Sequence, residues 1–120
     1  MLQRSRTLAL SHLGPHHPFN GYVQRSLARL YRSRGQSEAA LAAMKQAVAV
    51  FRESLPADSV VLAEALTDAA ADHLQLAERA QAEHLLREAL AIVADAGLPE
   101  RESVRRRAET LLAQAAPAQS

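Results

Sequence analysis

The feature that most constrains the fold of this chain is an internal repeat with an offset of 42 residues. Residues 35–50, GQSEAALAAMKQAVAV, superimpose on residues 77–92, AERAQAEHLLREALAI. Small positions match small ones and large positions match large ones: Ala40 with Ala82, Met44 with Leu86, Ala47 with Ala89, Val48 with Leu90, and further along Leu62 with Val104. A period of this length is typical of repeat proteins, in which neighbouring units bury one shared core.

Apolar residues recur at helical spacing along the chain, and no segment shows the alternation of a strand. Glycines, prolines and the repeat alignment divide the chain into six predicted helices, over about residues 2–13, 19–34, 37–55, 59–76, 80–96 and 100–115. Gly35 is expected to end the second helix in the left-handed conformation. Ser37 is expected to cap the third helix, and Asp58 or Ser59 the fourth. The sequence therefore predicts an all-α fold.

The spacing also predicts which face of each helix is buried. The apolar stripe of the second helix is predicted at Val23, Leu27, Leu30 and Tyr31, and that of the third at Ala40, Leu41, Met44, Ala47, Val48 and Phe51. On the fourth helix, three acidic residues share one face that we expect to be solvated: Glu64, Asp68 and Asp72.

Two segments resemble a known family. Residues 27–35, LARLYRSRG, followed by Glu38-Ala39-Ala40 and Ala47-Val48-Ala49-Val50, resemble a tetratricopeptide repeat. The 42-residue period and the loop LGPHHP at residues 13–18 resemble the kinesin-light-chain type of this repeat. His73 and Ala77 depart from the pattern, because they stand where the first repeat has Tyr31 and Gly35.

The resemblance implies a right-handed superhelix of helical hairpins, with about six antiparallel helices. It divides the chain into a repeat domain over residues 1–116 and a polar tail over 117–120. The parts of that domain are the second helix of a partial repeat (1–13), repeat one (18–55), repeat two (58–97) and a closing helix (100–115).

Composition excludes several classes of protein and site. The chain has no cysteine, so it has no disulfide, zinc-thiolate site or cysteine nucleophile. Its four aromatic residues and lack of tryptophan argue against a base-stacking nucleic-acid platform. No segment resembles a membrane span or a secretory signal. We therefore expect a cytoplasmic protein that does not contact a membrane.

No arrangement of residues indicates catalysis, a metal or a cofactor. The chain has neither a GxSxG elbow nor a glycine-rich phosphate loop. Three histidines cluster in sequence, at His12, His16 and His17. A metal or pH-sensitive site is one interpretation, but no acidic residue lies nearby to orient the rings. The alternative is a turn in which His17 packs against or caps the following helix. His73 is interpreted as a half-buried substitute for tyrosine.

Charge is unevenly distributed although the net charge is +1. Residues 1–37 hold six arginines and no acid, residues 38–100 carry −7, and residues 101–120 carry +2. Arg25, Arg29 and Arg32 lie on one face of the second helix, with Tyr22 one turn earlier. Guanidinium groups suit carboxylates or phosphates. A solubilising, unliganded face remains the alternative interpretation.

The resemblance implies that first helices of repeats line a concave groove. The ligand-facing residues would then be Tyr22, Arg25, Arg29 and Arg32, followed by Glu64, Thr67, Ala71 and Leu74. This predicts a non-catalytic adaptor that binds an extended, acidic peptide or protein partner, as the C-terminal part of a larger bacterial signalling or regulatory protein. Two alternatives stay open: a homodimer formed through incomplete end repeats, and an electrostatic nucleic-acid binder that uses residues 1–34 and 101–107, the latter containing a second basic cluster, Arg101 and Arg105 to Arg107. For that cluster, a solvated outer face is the favoured interpretation.

Overall fold

A computed structural model describes residues 17–94 and 98–115 of the chain. These residues form five α-helices and no strand: α1 (Pro18–Ser33), α2 (Ser37–Ser54), α3 (Val60–Gln75), α4 (Arg79–Ile92) and α5 (Pro99–Ala115). The all-α prediction is confirmed, although α4 ends several residues before Gly97. The helix predicted over residues 2–13 lies outside the described residues. None of the five helices has the length and hydropathy needed to cross a membrane.

The chain divides into two compact units, one before and one after residue 56. In the first unit, α1 packs against α2. In the second unit, α3 packs against α4, and α5 contacts both of them.

The 42-residue period of the sequence is also a period of the backbone. Helices α1 and α3 begin 42 residues apart, and so do α2 and α4. In the turn after α1, the Gln36 amide donates to the Tyr31 carbonyl at 2.9 Å, and the Glu78 amide donates to the His73 carbonyl at 2.9 Å in the turn after α3. Each turn has one residue with positive φ, Gly35 at 74° and Ala77 at 60°. The two helical hairpins therefore have the same turn despite different residues.

The helix caps agree with the sequence at two ends and differ at a third. Ser59 caps α3, because its hydroxyl accepts from the Val61 amide at 3.2 Å. His17 caps α1, because its Nδ1 accepts from the Phe19 amide at 3.1 Å. The prediction that Ser37 caps α2 is wrong. Gln36 occupies the cap position and makes no side-chain capping bond, since the tight turn places Ser37 already inside the helix.

The predicted apolar face of α2 is confirmed, and all six of its residues are buried. The predicted face of α1 is wrong. Its buried positions are Asn20, Gly21, Gln24 and Ala28, while Leu30 is 39% exposed. At Gly21 the reason is steric, because the missing side chain lets α1 approach the bulky Phe51 of α2.

The core of the second unit joins its three helices. Its buried residues are Ala70, Ala82, Leu86, Ala108 and Ala115. Partly buried leucines pack around them: Leu74, Leu85, Leu90, Leu111 and Leu112. Alanines at the contact points allow close approach of the helices, and leucines fill the space beside them.

We expect the Ala77→Gly variant to be more stable than the parent and the Gly35→Ala variant to be less stable. Both positions have positive φ, where a Cβ costs about 1 kcal/mol relative to glycine. A difference of this size shifts the melting temperature of a small unit by about 4–8 °C. Thermal unfolding followed by circular dichroism measures both shifts. Nothing lies within 4 Å of a Cβ built at Gly35, so a loss there reports backbone strain alone.

Candidate functional site

One face of α1 carries a cluster of cationic side chains. Tyr22, Arg25, Arg29 and Arg32, called here the arginine face, fall within an arc of about 80° around the helix axis. Tyr22 is 44% exposed, Arg29 is exposed, and Arg25 and Arg32 are half-buried. Arg25 and Arg32 each take part in an interaction within the chain. The sequence-predicted part of the site that belongs to α1 is therefore brought together on one surface.

Packing below the arginine face fixes the position of Tyr22. Its ring makes an edge-on contact with Phe51, with ring centroids 5.2 Å apart and planes inclined at 68°. Phe51 is fully buried and lies against Gly21, where an added Cβ would be 2.5 Å from the ring atom Cε1. The missing side chain at Gly21 thus allows the ring of α2 to support an exposed tyrosine on α1.

The charge of α1 is unopposed within the helix itself. Pro18–Ser33 contains three arginines and no acidic residue, and Arg34 follows as its C-cap. Arginines spaced four and three residues apart on one helix repel each other, although Arg25 and Arg32 each have a further interaction within the chain.

The remaining predicted site residues lie on α3 in the second unit. Their burial and contacts differ from those of the arginine face. Thr67 is fully buried, and its hydroxyl donates to the Ala63 carbonyl at 2.8 Å. Leu74 packs against the core of that unit. Glu64 is half-buried and takes part in an interaction within the chain. The structure does not offer Thr67 to a ligand, whereas Tyr22 and Arg29 of the arginine face are exposed.

Two arginines of the second basic cluster also make contacts within the second unit, although Arg106 and Arg107 are exposed as predicted. Arg101 donates to the Ile92 carbonyl at 2.9 Å and to the Asp58 carbonyl at 2.8 Å. Arg107 donates to Asp68 Oδ1 at 2.6 Å. These side chains join α5 to the start of α3, the end of α4 and the middle of α3. They therefore serve the packing of the second unit.

The acidic face predicted on α3 is also wrong in two of its three residues. Asp68 is 7% exposed and Asp72 is 1% exposed. Both take part in interactions within the chain, beyond the Arg107 contact in the case of Asp68. The i, i+4, i+8 spacing places these carboxylates on one face, but spacing does not say whether a later helix covers that face.

The outer surface of α5 carries ion pairs within the helix. Arg105 donates twice to Glu102, at 3.2 and 2.6 Å, and Arg106 lies 3.4 Å from the same carboxylate. The hydrogen bond from Arg105 lowers the pKa of the Glu102 carboxyl and raises the pKa of the Arg105 guanidinium. Their i, i+3 and i, i+4 spacing is the sequence signal for these pairs. Pairing leaves this cluster less charge for a nucleic acid than the sequence suggested.

Two of the histidines that the structure describes, His17 and His73, have structural roles. His17 caps α1, which confirms one of the two interpretations of the loop. His73 is buried, and its Nδ1 lies 2.7 Å from Glu78 Oε1 across the turn between α3 and α4. His12 and His16 lie outside the described residues. Within residues 17–94 and 98–115, no three acidic or histidine side chains are grouped so that they could hold a metal ion.

Comparison with known proteins identifies the repeat. A family model described as the tetratricopeptide repeat matches residues 1–53, which include the whole of α1 and its arginine face. Residues 1–53 therefore match the tetratricopeptide repeat. Members of this group serve protein–protein interaction and are generally non-catalytic adaptors. No curated protein matches the sequence significantly.

Two crystal structures of TPR-like repeats match the fold of this chain, including its second unit. Both contain nearly identical TPR-like repeats of a Podosopora anserina protein assigned as a kinesin light chain, and one of them carries a single substitution. They match 95% of this chain at 23% identity, with TM-scores of 0.74 and 0.73. This chain spans 58% of the length of each. At this identity the likeness shows the fold alone.

Proposed function

We propose that this chain is a non-catalytic interaction module whose arginine face binds an acidic peptide segment of a protein partner. Repeat arrays of this kind bind partners along extended surfaces. The observation that carries the proposal is the arginine face itself. It presents three guanidinium groups and an exposed tyrosine on a helix that has no acidic residue.

The chemistry of these side chains selects the ligand. A guanidinium group donates two parallel hydrogen bonds to a carboxylate or phosphate, so several on one helix favour a segment with several anionic groups. Arg29 is the most accessible of the three for a first contact. Arg25 and Arg32 flank it, and the ring of Tyr22 supplies an apolar surface with a hydroxyl at its end.

The expected affinity is modest because the arginines contact water. An exposed ion pair contributes about 0.2–1 kcal/mol, so three of them contribute about 0.6–3 kcal/mol. Loss of all three attractions corresponds to a loss of about 3- to 150-fold in affinity, and charge reversal adds repulsion to that loss. Because salt screens exposed charges, binding is expected to weaken as ionic strength rises.

Charge reversal tests the proposal. A variant with Arg25→Glu, Arg29→Glu and Arg32→Glu should bind a fluorescein-labelled deca-glutamate peptide at least about tenfold more weakly in a fluorescence anisotropy titration. The matched control reverses three exposed cations on other helices: Lys45→Glu, Arg79→Glu and Arg87→Glu. It changes the net charge by the same amount.

The two variants separate a site from a general charge effect. Unchanged affinity in the control supports binding at the arginine face, provided that circular dichroism shows helices in both variants. Equal weakening in both variants contradicts the proposal, because the probe would then respond to net charge. Strong binding of a deca-lysine peptide would also contradict it.

The wider setting of the module is part of the same proposal. We place it in the bacterial cytoplasm, in a signalling or regulatory protein. The support is its resemblance to tetratricopeptide adaptors. Sequencing the gene that encodes it tests the placement, and a gene product without a signalling or regulatory role contradicts it.

A further inference from the structure

The exposed residues of α1 form one continuous arc of the helix surface. They span about 100° around the helix axis and about 21 Å along it, and they are called here the exposed arc: Phe19, Tyr22, Ser26, Arg29, Leu30 and Ser33. Phe19, Tyr22 and Leu30 are three of the four large apolar side chains that are exposed in residues 17–94 and 98–115. Apolar side chains concentrated on an exposed surface mark an interaction site.

The exposed arc is a property of α1 and not of the repeat. A shift of 42 residues takes Tyr22 to Glu64 and Leu30 to Asp72. Helix α3 therefore has carboxylates where α1 has exposed apolar side chains. Since the repeat pattern does not require an apolar surface at these positions, the exposed arc indicates a partner that is specific to α1.

The shape of the exposed arc offers a place for one large side chain of a partner. Tyr22, Ser26 and Leu30 follow each other at intervals of four residues, which is the spacing of a ridge on a helix surface. Ser26 has the smallest side chain of the three, so the ridge is lowest at its middle. A large apolar side chain placed over Ser26 would contact Tyr22 on one side and Leu30 on the other. The contact between Tyr22 and Phe51 supports one wall of this place from below.

Charge determines the other part of the partner's chemistry. Arg29 forms one edge of the exposed arc, and Leu30 forms the opposite edge, about 100° around the axis. Helix α1 contains no acidic residue. A partner with a carboxylate beside its apolar side chain can therefore pair with Arg29 while the apolar side chain lies over Ser26.

Backbone hydrogen bonding favours one conformation of the partner. The backbone groups of an α-helix are paired within the helix, and the Ser33 hydroxyl donates to the Leu30 carbonyl at 2.7 Å. An extended segment buried against Phe19, Tyr22 and Leu30 would remove its own N–H and C=O groups from water without giving them new partners, which is unfavourable. A helical segment pairs these groups internally.

We propose that the exposed arc binds an amphipathic helix of a partner protein, with large apolar residues along its contact face and carboxylates along one edge. The inference rests on the proposed function, the binding of an acidic partner by α1, and it adds the conformation and the apolar residues of that partner. Two helices packed in this way lie about 8–10 Å apart, and a small residue at the crossing point permits the close approach.

Two peptide probes test the conformation of the partner with the full chain. The first is a fluorescein-labelled, alanine-based peptide of about 16 residues, long enough as a helix to span the exposed arc, with leucines and glutamates at helical spacing. In the second, prolines replace two central alanines, which breaks the helix without changing the charge. We expect the helical probe to bind at least about tenfold more tightly in fluorescence anisotropy titrations. Circular dichroism should show that it gains helix on binding.

Variants of the protein test the place of binding. Ser26→Trp occupies the lowest point of the ridge and should weaken binding of the helical probe at least about tenfold. The matched control is Ala42→Trp, which adds the same side chain at an exposed position of α2 and should leave the affinity unchanged. The Phe19→Ala/Leu30→Ala variant removes apolar contacts without adding bulk, and it should also weaken binding. Circular dichroism verifies that each variant is helical.

The outcomes separate this inference from the proposed function. Equal affinity for the two probes, no binding of the helical probe by the parent, or unchanged affinity in Ser26→Trp overturns the inference. The proposed function then still stands if the parent binds deca-glutamate and reversal of the three arginines weakens that binding more than the control reversal does. Equal weakening in those two variants overturns the proposed function itself. Self-association of the parent that Ser26→Trp abolishes would identify a second copy as the occupant and would also overturn the inference.

Discussion

The Phe51→Ala variant should lose about 3–5 kcal/mol of the free energy of unfolding of the first unit. Phe51 is fully buried on α2, and its ring contacts both Gly21 and Tyr22 of α1. Truncation removes the largest side chain that joins these two helices and leaves a cavity.

The Gly21→Ala variant should have opposite effects in two backgrounds. In the parent, the added methyl group would meet the Phe51 ring at 2.5 Å, and overpacking of this kind costs about 1–3 kcal/mol. In the Phe51→Ala background the ring is gone, and alanine is favoured over glycine within a helix by about 1 kcal/mol. We therefore expect Gly21→Ala to destabilise the parent and to stabilise the Phe51→Ala variant.

Tyrosine fluorescence during urea unfolding measures this cycle. The chain has no tryptophan, and both of its tyrosines, Tyr22 and Tyr31, lie on α1. The signal therefore reports the first unit. Ser26→Ala, at an exposed position of the same helix, is the control and should change stability by less than about 0.5 kcal/mol. Additive effects of Gly21→Ala and Phe51→Ala would contradict a direct contact between the two positions.

The sequence predicted those parts of the fold that depend on local spacing. The 42-residue offset located the turn at Ala77 with no glycine or proline to mark it, because the residues around it superimpose on the turn at Gly35. The apolar face of α2 was also predicted correctly, since its buried residues are all apolar. On α1 the same reasoning was wrong, because Asn20, Gly21 and Gln24 are buried although hydropathy favours Val23 and Leu30.

For the candidate site too, the sequence predicted what depends on local spacing and missed what depends on contacts with other helices. Spacing was sufficient to place Arg25, Arg29 and Arg32 together, because residues four and three apart share a face of any helix. It was insufficient for Thr67, whose burial depends on neighbouring helices. It was also insufficient for Asp68, whose partner Arg107 lies 39 residues later in the sequence. A local pattern carries no information on such a contact.

The Arg107→Ala variant should destabilise the second unit by about 1–3 kcal/mol. The Asp68 side chain is 10% exposed, and without Arg107 its carboxylate loses a hydrogen bond of 2.6 Å from a cation. Breaking a fully buried ion pair costs about 3–5 kcal/mol. The Arg107 side chain is 49% exposed, so water screens the pair, and Asp68 has a further interaction within the chain. Both facts place the expected loss below that range.

A double-mutant cycle with Asp68→Ala isolates the pair. Once Arg107 is absent, removal of the Asp68 carboxylate also removes an unpaired buried charge, so Asp68→Ala should cost less than in the parent. Hydrogen exchange of the α3 and α5 amides follows the second unit directly. Arg106→Ala is the matched control, because its side chain is 79% exposed and should contribute less than about 0.5 kcal/mol. An equal loss in Arg106→Ala and Arg107→Ala would mean that the positive charge of α5, rather than its contact with α3, stabilises the unit.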